Sequence, residues 1–221
     1  METYSLAHLS HTAHLALFHP LPPCSASSLR SRLVSASRAP STSEGEAERT
    51  AVEFAFIDAN RITSRLHVLT AISQALTAKK NGEMRTRTCH SEVLWALEPG
   101  NNINDSLKHF GLSPTTTSLF LVHLSPLPGS TSSTSSTANE EQERTEVLKR
   151  MEALVGEAPL VGLDQLGGTE GEGALDEKGL RKVYKLNTET PTLTTLQVGT
   201  DEHRRELDRL VCSSVALKAA A

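Results

Sequence analysis

Residues able to act as acids, bases or nucleophiles are scattered through this sequence instead of standing at catalytic spacings. Cys89 and His90 are adjacent and could suggest a thiolate nucleophile beside its base. Neighbouring residues on a helix point in different directions, however, so the pair does not form a dyad by itself. We interpret it as a cysteine at the start of a helix beside a surface histidine.

Metal binding is the second chemistry that the residue types suggest, because histidines crowd the N-terminal region. They are His8, His11, His14 and His19. A strand or a frayed tail would not bring all of these rings to one centre, and no cysteine supports them. We therefore predict surface histidines, and neither a metal nor another cofactor.

Established catalytic motifs do not occur in the chain. There is no GxxxxGK[ST] phosphate loop, no GxSxG elbow, no HExxH helix and no set of kinase signatures. A partial glycine pattern at 171–173 lacks its third glycine and a preceding strand. Cys24, Cys89 and Cys212 have no CxxC spacing, so they predict neither a disulfide framework nor a zinc site and fit a reducing compartment. The sequence predicts a protein without catalytic residues.

The clearest positive signal is the basic segment 79–87, KKNGEMRTR. Its basic residues are Lys79, Lys80, Arg85 and Arg87. They stand out because the formal net charge of the whole chain is -4. Such an island can hold phosphate groups through charge and forked hydrogen bonds. It can also be a solvated loop with lysines near a helix C-terminus, where the helix dipole favours them, and the residues alone favour this second interpretation. The same two interpretations apply to a second basic group, which consists of Arg181, Lys182 and Lys185.

Length and composition predict one soluble domain. The chain has 221 residues, enough for one domain with a core and few for two, and 38% of them are hydrophobic. Aromatic residues make up 4%, so Leu, Val, Ile and Ala must fill most of the core. No apolar run approaches the length of a bilayer span, and the N-terminus lacks the basic start of a secretory signal. We predict a protein of the nucleus or cytoplasm that does not contact membranes.

Hydrophobic periodicity predicts an α/β fold, a single domain over 13–218 in which a small central mixed or antiparallel sheet is flanked by several helices. Strands are predicted at 13–18, 52–57, 117–124 and, at an edge, 158–163. Helices are predicted at 27–37, 58–81, 89–98, 102–110, 142–155, 175–186 and 201–217. Residues 1–12 are predicted to be a disordered tail and 39–49 a polar loop, with flexible insertions at about 129–143 and 167–173.

Capping residues and apolar stripes define these helices further. Asp58 and Asn102 are predicted to begin two of them as N-caps, and Gly82 and Gly111 to end them in the left-handed conformation. The stripe expected on the first of the two helices consists of Ile62, Leu66, Leu69, Ile72 and Leu76. The face expected on the terminal helix consists of Leu207, Leu210, Val211, Ser214 and Leu217. Most such faces pack on their own sheet, but a terminal helix can offer a second apolar side to a partner.

Several motifs follow one another in the longer stretch 84–124: MRTRT at 84–88, NNI at 101–103, FG at 110–111 and the strand at 118–124. This series resembles the small kinase-binding subunit of the EKC/KEOPS complex, the TPRKB-like family. VYKL at 183–186 is similar to the IYKL segment of the same family. The agreement spans most of the chain outside the Ser-rich and Gly-rich loops.

This resemblance implies an α/β subunit that is not the catalyst of its complex. The complex installs threonylcarbamoyl on the adenosine next to the anticodon of tRNA, and a telomere-related role, with telomeric chromatin as a possible location, is attached to it as well. The subunit docks on an atypical kinase/ATPase subunit, which in turn binds the transferase subunit, and it holds the single-stranded CCA end of tRNA. Under this model the residues that engage phosphates would be Lys79, Lys80, Arg85 and Arg87. The residues that face the kinase would be Leu207, Leu210, Val211 and Ser214.

Two other functions stay open at this point. One is a purely structural scaffold without RNA contact, because few aromatic residues stand near the basic turn and no stacking partner for a base is assigned. The other is a small hydrolase that would use Cys89 or one of the histidines, against which the missing spacing argues.

Overall fold

A computed structural model of the chain describes residues 1–127, 137–168, 174–186, 193 and 196–218. In this part of the chain, an antiparallel sheet lies between two layers of helices, which confirms the predicted α/β fold. The strands are β1 (Glu2–Leu6), β2 (His11–Phe18), β3 (Ala55–Asp58), β4 (Leu119–Pro126) and β5 (Leu160–Val161). The helices are α1 (Ser25–Arg38), α2 (Ser43–Ala51), α3 (Arg65–Asn81), α4 (Cys89–Leu97), α5 (Ile103–His109), α6 (Thr137–Val155), α7 (Glu177–Val183) and α8 (Asp201–Leu217).

Strand β2 is the centre of the sheet, whose order is β1-β2-β4-β3. It pairs with β4 along its whole length, with Leu15 opposite Val122. Its other edge is shared by β1, where Glu2 lies opposite Leu15, and by β5, where Val161 lies opposite Leu17. A strand that is flanked on both edges and covered on both faces has a continuous apolar run as its sequence, which is why β2 and β4 were predictable.

Alternate side chains of the central strands point into two separate cores. On one face, Leu15 and Val122 join the core that also contains buried side chains of α3, α4 and α8. On the other face, Phe18 and Leu121 join a smaller core with α1 and α6. No helix of the described residues has both the length and the apolar character needed to cross a membrane.

The predicted disordered tail at 1–12 is wrong, because this segment forms the edge strand β1 and a tight 3₁₀ turn at Ala7–Leu9. Ser10 then takes the left-handed conformation, with φ of 54°, and returns the chain into β2. Tyr4 and Leu6 alternate with exposed residues and pack against the larger core. That alternation is a half-buried strand pattern, and it supplies the burial that orders the segment.

The loop predicted at 39–49 is largely helical instead. Thr42 accepts a hydrogen bond from the backbone N–H of Gly45 and so caps α2, and Glu44 and Glu46 complement the helix dipole in the first turn. Since α2 runs to Ala51, the strand predicted from residue 52 begins at 55.

Helix α3 begins six positions later than predicted, because its N-cap is residue 64 instead of residue 58. Asp58 caps only the short 3₁₀ turn at Ala59–Arg61, and Ser64 is the N-cap of α3. The apolar stripe shifts accordingly, so Leu66 is 56% exposed. The buried face consists of His67, Val68, Ala71, Ile72, Ala75 and Leu76. Gly82 ends the helix in the left-handed conformation, as predicted, with φ of 73°.

At α5, the predicted N-cap is confirmed, but the helix does not end in the predicted way. Asn102 accepts a hydrogen bond from Asn104 N–H, as predicted for the N-cap. Gly111 does not take the left-handed conformation, because it lies in a β-bridge with Ile57. A glycine is required there for space, since an added Cβ would lie 2.4 Å from the carbonyl oxygen of Leu107.

Of the predicted flexible insertion at 129–143, residues 137–143 belong to helix α6. Residues 129–136 lie outside the described residues, as do 169–173 of the predicted insertion at 167–173. Gly167 lies in a turn, and the carbonyl of Gly168 accepts a hydrogen bond from the backbone N–H of Leu175 at 2.8 Å.

Candidate nucleic-acid interface

A buried carboxylate holds the basic turn between α3 and α4. Glu92, which is 1% exposed, accepts hydrogen bonds from the backbone N–H groups of Arg85 and Thr86 at 3.1 and 2.8 Å. It also accepts one from the Thr86 hydroxyl at 2.6 Å. Thr88 caps α4 by accepting from Ser91 N–H. The backbone is thus tied inward, and the side chains of Arg85 and Arg87 remain exposed.

A pocket of about 960 Å³ opens beside this turn. Its walls are the C-terminal part of α3, the turn itself, α4 and the residue that follows α8. Small side chains, Ala75, Ala78 and Ala96, leave room for it, while Trp95 and Arg85 supply an aromatic ring and a cation. The arrangement therefore combines a flat ring, a positive charge and a volume in the range of small-molecule sites.

Lys218 closes the far side of the pocket from the end of α8. Its ammonium lies 3.3 Å from the centroid of the Trp95 ring. It donates to the backbone carbonyl of Trp95 and to those of Glu98 and Gly100 at 2.6 and 2.8 Å. These carbonyls lie in the last turn of α4 and just beyond it, where a helix offers few N–H partners, and that of Trp95 also accepts from the backbone N–H of Glu98 at 3.3 Å. Burial lowers the pKa of Lys218 to about 8, although the carboxylates of Glu98 and Glu92 oppose the shift.

The structure divides the predicted phosphate-binding residues into two pairs. Arg85 lines the pocket, and Arg87 is exposed on the same turn. Lys79 and Lys80, which are exposed on the last turn of α3, point towards the N-terminal segment. The ammonium of Lys79 lies 3.0 Å from His11 Nε2, and that of Lys80 lies 3.5 Å from the His8 carbonyl oxygen.

Sequence reasoning missed Trp95 and Lys218. Trp95 stands three residues after Glu92 on α4, so helical spacing places it on the same side as the residue that holds the turn. That signal was available, because Trp95 is the only tryptophan of the chain. Lys218 is separated from Trp95 by 123 positions, and no local pattern connects the two.

The second basic group does not form a comparable site. The guanidinium of Arg181 pairs with Glu177 at 3.4 Å within α7. Lys182 and Lys185 are exposed, and Lys185 takes the left-handed conformation with φ of 54°. None of the three lines the pocket.

The Cys89–His90 pair is not a catalytic dyad. Cys89 starts α4 as predicted, and burial raises the pKa of its thiol, which disfavours the thiolate. The prediction of a surface histidine is wrong, because His90 is buried between α4 and the sheet. Its Nε2 accepts a hydrogen bond from the backbone N–H of Leu124 at 3.0 Å, beyond the point where β3 stops pairing with β4. Burial lowers the pKa of His90 to about 3.

The N-terminal histidines are also not all on the surface. His14 is buried in β2, where its ring stacks on that of His123 with centroids 6.2 Å apart. His8 is exposed, and His11 and His19 are partly so. Within the described residues, no group of three or more His, Cys, Asp or Glu side chains is placed to hold a metal ion.

Comparison with known proteins decides the family. The family model described as "Kinase binding protein CGI-121" matches residues 25–219. The chain belongs to this family. It is 30% identical over 221 residues to the EKC/KEOPS complex subunit cgi121 of Aspergillus terreus, which covers 100% of this chain and 97% of the relative. It is 31% identical over 222 residues to the subunit CGI121 of Gibberella zeae, covering 99% and 98%. It is 33% identical over 168 residues to that of Neurospora crassa, covering 75% and 79%. These matches confirm the resemblance found in the sequence.

In this CGI-121 family chain, helix α8 cannot use its whole predicted face for a partner. Leu207 and Val211 are 1% and 0% exposed and belong to the chain's own core. The prediction that they contact a kinase directly is therefore wrong. The physical reason is spacing: residues at intervals of four along α8 pack against α3, which leaves the neighbouring stripe outward. On that stripe Leu210 and Ser214 are partly exposed, with Leu210 also packed against the edge of the core, and Leu217 is 65% exposed.

Proposed function

We propose that this chain is a non-catalytic subunit of an EKC/KEOPS complex, required for threonylcarbamoyladenosine formation next to the anticodon of tRNA. In this role it binds the atypical kinase/ATPase subunit, reaches the transferase only through that kinase, and holds the single-stranded CCA end of tRNA. Membership of a kinase-binding family and the names of the relatives support the assembly. The pocket around Trp95 is the observation that carries the RNA part.

Base stacking is the first argument for RNA at this pocket. Single-stranded RNA is recognised mainly by bases that stack on aromatic rings and by cations that follow the phosphates. Trp95 offers the ring. Arg85 lines the same pocket and offers a guanidinium that can donate two hydrogen bonds to one phosphate. The sequence alone left the stacking partner unassigned, and Trp95 fills that position in the proposal.

Charge is the second argument. Because the chain is negative overall, RNA affinity must come from a local concentration of basic side chains. Arg85 and Arg87 are held out by the Glu92-bound turn, and Lys79 and Lys80 continue the basic surface towards the N-terminal segment. In the proposal, the terminal nucleotides occupy the pocket and the preceding phosphates run towards the two lysines.

The thiols support a non-catalytic role. Burial raises the pKa of Cys89, and burial together with Asp208 raises that of Cys212 to about 12. A catalytic cysteine needs the opposite shift, because the thiolate is the nucleophile. Cys24 is exposed.

Binding of defined RNAs tests the proposal directly. We expect a single-stranded RNA of about ten nucleotides ending in CCA to bind, and the same RNA without its last three nucleotides to bind at least about tenfold more weakly. Fluorescence anisotropy with the label at the 5′ end measures both. Equal affinity for the two RNAs would mean that the protein binds phosphates without recognising the CCA end. No binding of either RNA would favour the scaffold without RNA contact.

A further inference from the structure

The contact between Lys218 and Trp95 places a cation where the proposed function needs a base. The ammonium lies 3.3 Å from the centroid of the indole ring. A base that stacks on this face of the ring would need the space that the ammonium occupies. A base and this ammonium therefore cannot occupy the same face of the ring together. The pocket of the free protein is closed on that face by a residue of its own chain.

Lys218 is held in this place by a full set of hydrogen bonds. An ammonium has three donors, and the carbonyls of Trp95, Glu98 and Gly100 accept all of them. The body of α8 is fastened separately, because Gln74 Nε2 of α3 donates to the carbonyl of Ala216 at 3.0 Å. The side chain of Lys218 can consequently leave the ring while the helix behind it stays in position.

We propose that Lys218 is a displaceable lid on Trp95, which must swing away before an RNA base can stack on the covered face of the ring. This inference rests on the proposed function, since it concerns the same pocket. The lid competes with the ligand for the ring, so removing it favours binding. If Lys218 instead served as a phosphate contact, removing it would weaken binding.

Removal of the side chain separates these possibilities by the sign of the effect. We expect Lys218→Ala to raise the affinity for the RNA ending in CCA by about threefold or more, even though it removes a positive charge. Lys218→Arg keeps a cation that can cover the ring, and we expect its affinity to stay near that of the wild type. Lys182→Ala is the charge control, because it removes an exposed lysine that does not line the pocket.

Unchanged or weaker binding by Lys218→Ala would overturn the lid while leaving the proposed function intact. Absence of binding by the wild type and by every variant would overturn the RNA part of the proposed function. A melting curve of each variant shows whether the fold is retained. Where Lys218→Ala fails to fold, Lys218→Met serves in its place, because it keeps the apolar stem and removes only the ammonium.

The resting position of the lid can be tested without RNA. Trp95 is the only tryptophan of the chain, so its fluorescence reports this pocket alone. Besides the ammonium, the charged groups facing the pocket are Glu83 and Arg85 of the turn and Glu92 of α4, with Glu98 just beyond α4. We expect the emission to change with a midpoint near pH 8, where Lys218 loses its proton, and Lys218→Ala to abolish that change. A transition that persists in Lys218→Ala, or a flat titration of the wild type, would show that the ammonium does not cover the ring.

Discussion

Tyr184 and His67 form a buried pair that joins three helices. The Tyr184 hydroxyl donates to the carbonyl of Leu97 at the end of α4, at 2.6 Å, and lies 2.9 Å from His67 Nε2 of α3. A hydroxyl has one proton, which goes to Leu97, so the Tyr184 oxygen accepts its second hydrogen bond from His67 Nε2–H. The segment after α7 is thereby fastened to both α3 and α4, the two helices that form the pocket walls.

Tyr184→Phe should destabilise the fold by about 1–3 kcal/mol, because it leaves a buried carbonyl and a buried ring N–H without partners. Urea unfolding followed by circular dichroism measures the change. Tyr4→Phe is the matched control, since the Tyr4 hydroxyl pairs with Glu2 on the edge strand, where water can replace it. Equal losses in the two variants would contradict the assigned role of the buried pair.

Acid should unfold the protein more readily than its net charge suggests. Burial, the main cause in each case, lowers the pKa of His67 and His123 to about 4 and that of His90 to about 3, from an ordinary value of 6.5. Between these values the unfolded chain binds protons that the folded chain does not. Stability is therefore fully present above about pH 6.5 and is lost as the pH falls towards 4, by roughly 3 kcal/mol for a ring such as His67.

Measuring the free energy of unfolding from pH 7.5 to pH 4.5 checks this expectation. His123→Phe should flatten the decline, because Phe fills the same stack without a proton to bind. His8→Gln, at an exposed position, should leave the decline unchanged. A stability that stays constant through pH 5 would mean that the buried rings titrate normally.

Glu92 should matter for RNA although it does not need to touch it. Glu92→Ala removes the acceptor of the Arg85 and Thr86 N–H groups, so the turn loses the conformation that presents its arginines. We expect RNA affinity to fall by about tenfold and stability by about 1–3 kcal/mol. Glu83→Gln, an exposed change in the same turn, should leave stability unaffected and raise RNA affinity slightly, because it removes a negative charge.

The unequal placement of the basic residues predicts unequal effects on RNA binding. Arg85→Glu should weaken binding more than Lys80→Glu, because Arg85 lines the pocket whereas Lys80 points towards His8. Both should reduce the dependence of affinity on salt, by about one ion for each phosphate that the variant no longer binds. Anisotropy titrations at several salt concentrations measure both quantities. A salt dependence that Arg85→Glu leaves unchanged would remove this residue from the interface.

Local sequence patterns were sufficient for the parts of the fold whose causes are local. The apolar runs of β2 and β4, the cap at Asn102 and the stop at Gly82 depend on neighbouring residues, and all are found. Asp58 failed as the cap of α3 because Ser64 offers a second cap six residues later, and tertiary packing decides between them. Tertiary packing also decides the burial of α8. Its sequence pattern shows one apolar face, but not which side chains of that face the core covers.

Only the part of the candidate site that is formed by neighbouring residues was predictable from the sequence. The basic turn is contiguous in sequence, so its charge is visible without a structure. The wall of the pocket that Lys218 forms is not visible in the sequence, because this residue is far from α4 along the chain. Long-range contacts of this kind depend on how α8 packs against α3, which is set by the whole core. The inferred lid therefore had no signal in the sequence.

The outward stripe of α8 should carry kinase binding, whereas its inward stripe should carry stability. Leu210→Glu places a charge at the edge of the core, where the side chain is partly exposed, so the fold should survive with some loss of stability. Capture of the purified kinase subunit should fall by about tenfold or more. Leu207→Ala should instead cost about 2–5 kcal/mol of stability, because it opens a cavity in the core. Val34→Glu is the matched control, since it alters an exposed apolar residue of α1, and α1 contributes Ala26 and Leu29 to the core on the opposite face of the sheet. Pull-down of the kinase subunit with the three variants measures capture, and a melting curve of each variant shows whether it is folded. If folded Leu210→Glu protein captures the kinase as well as Val34→Glu does, the kinase binds at another surface.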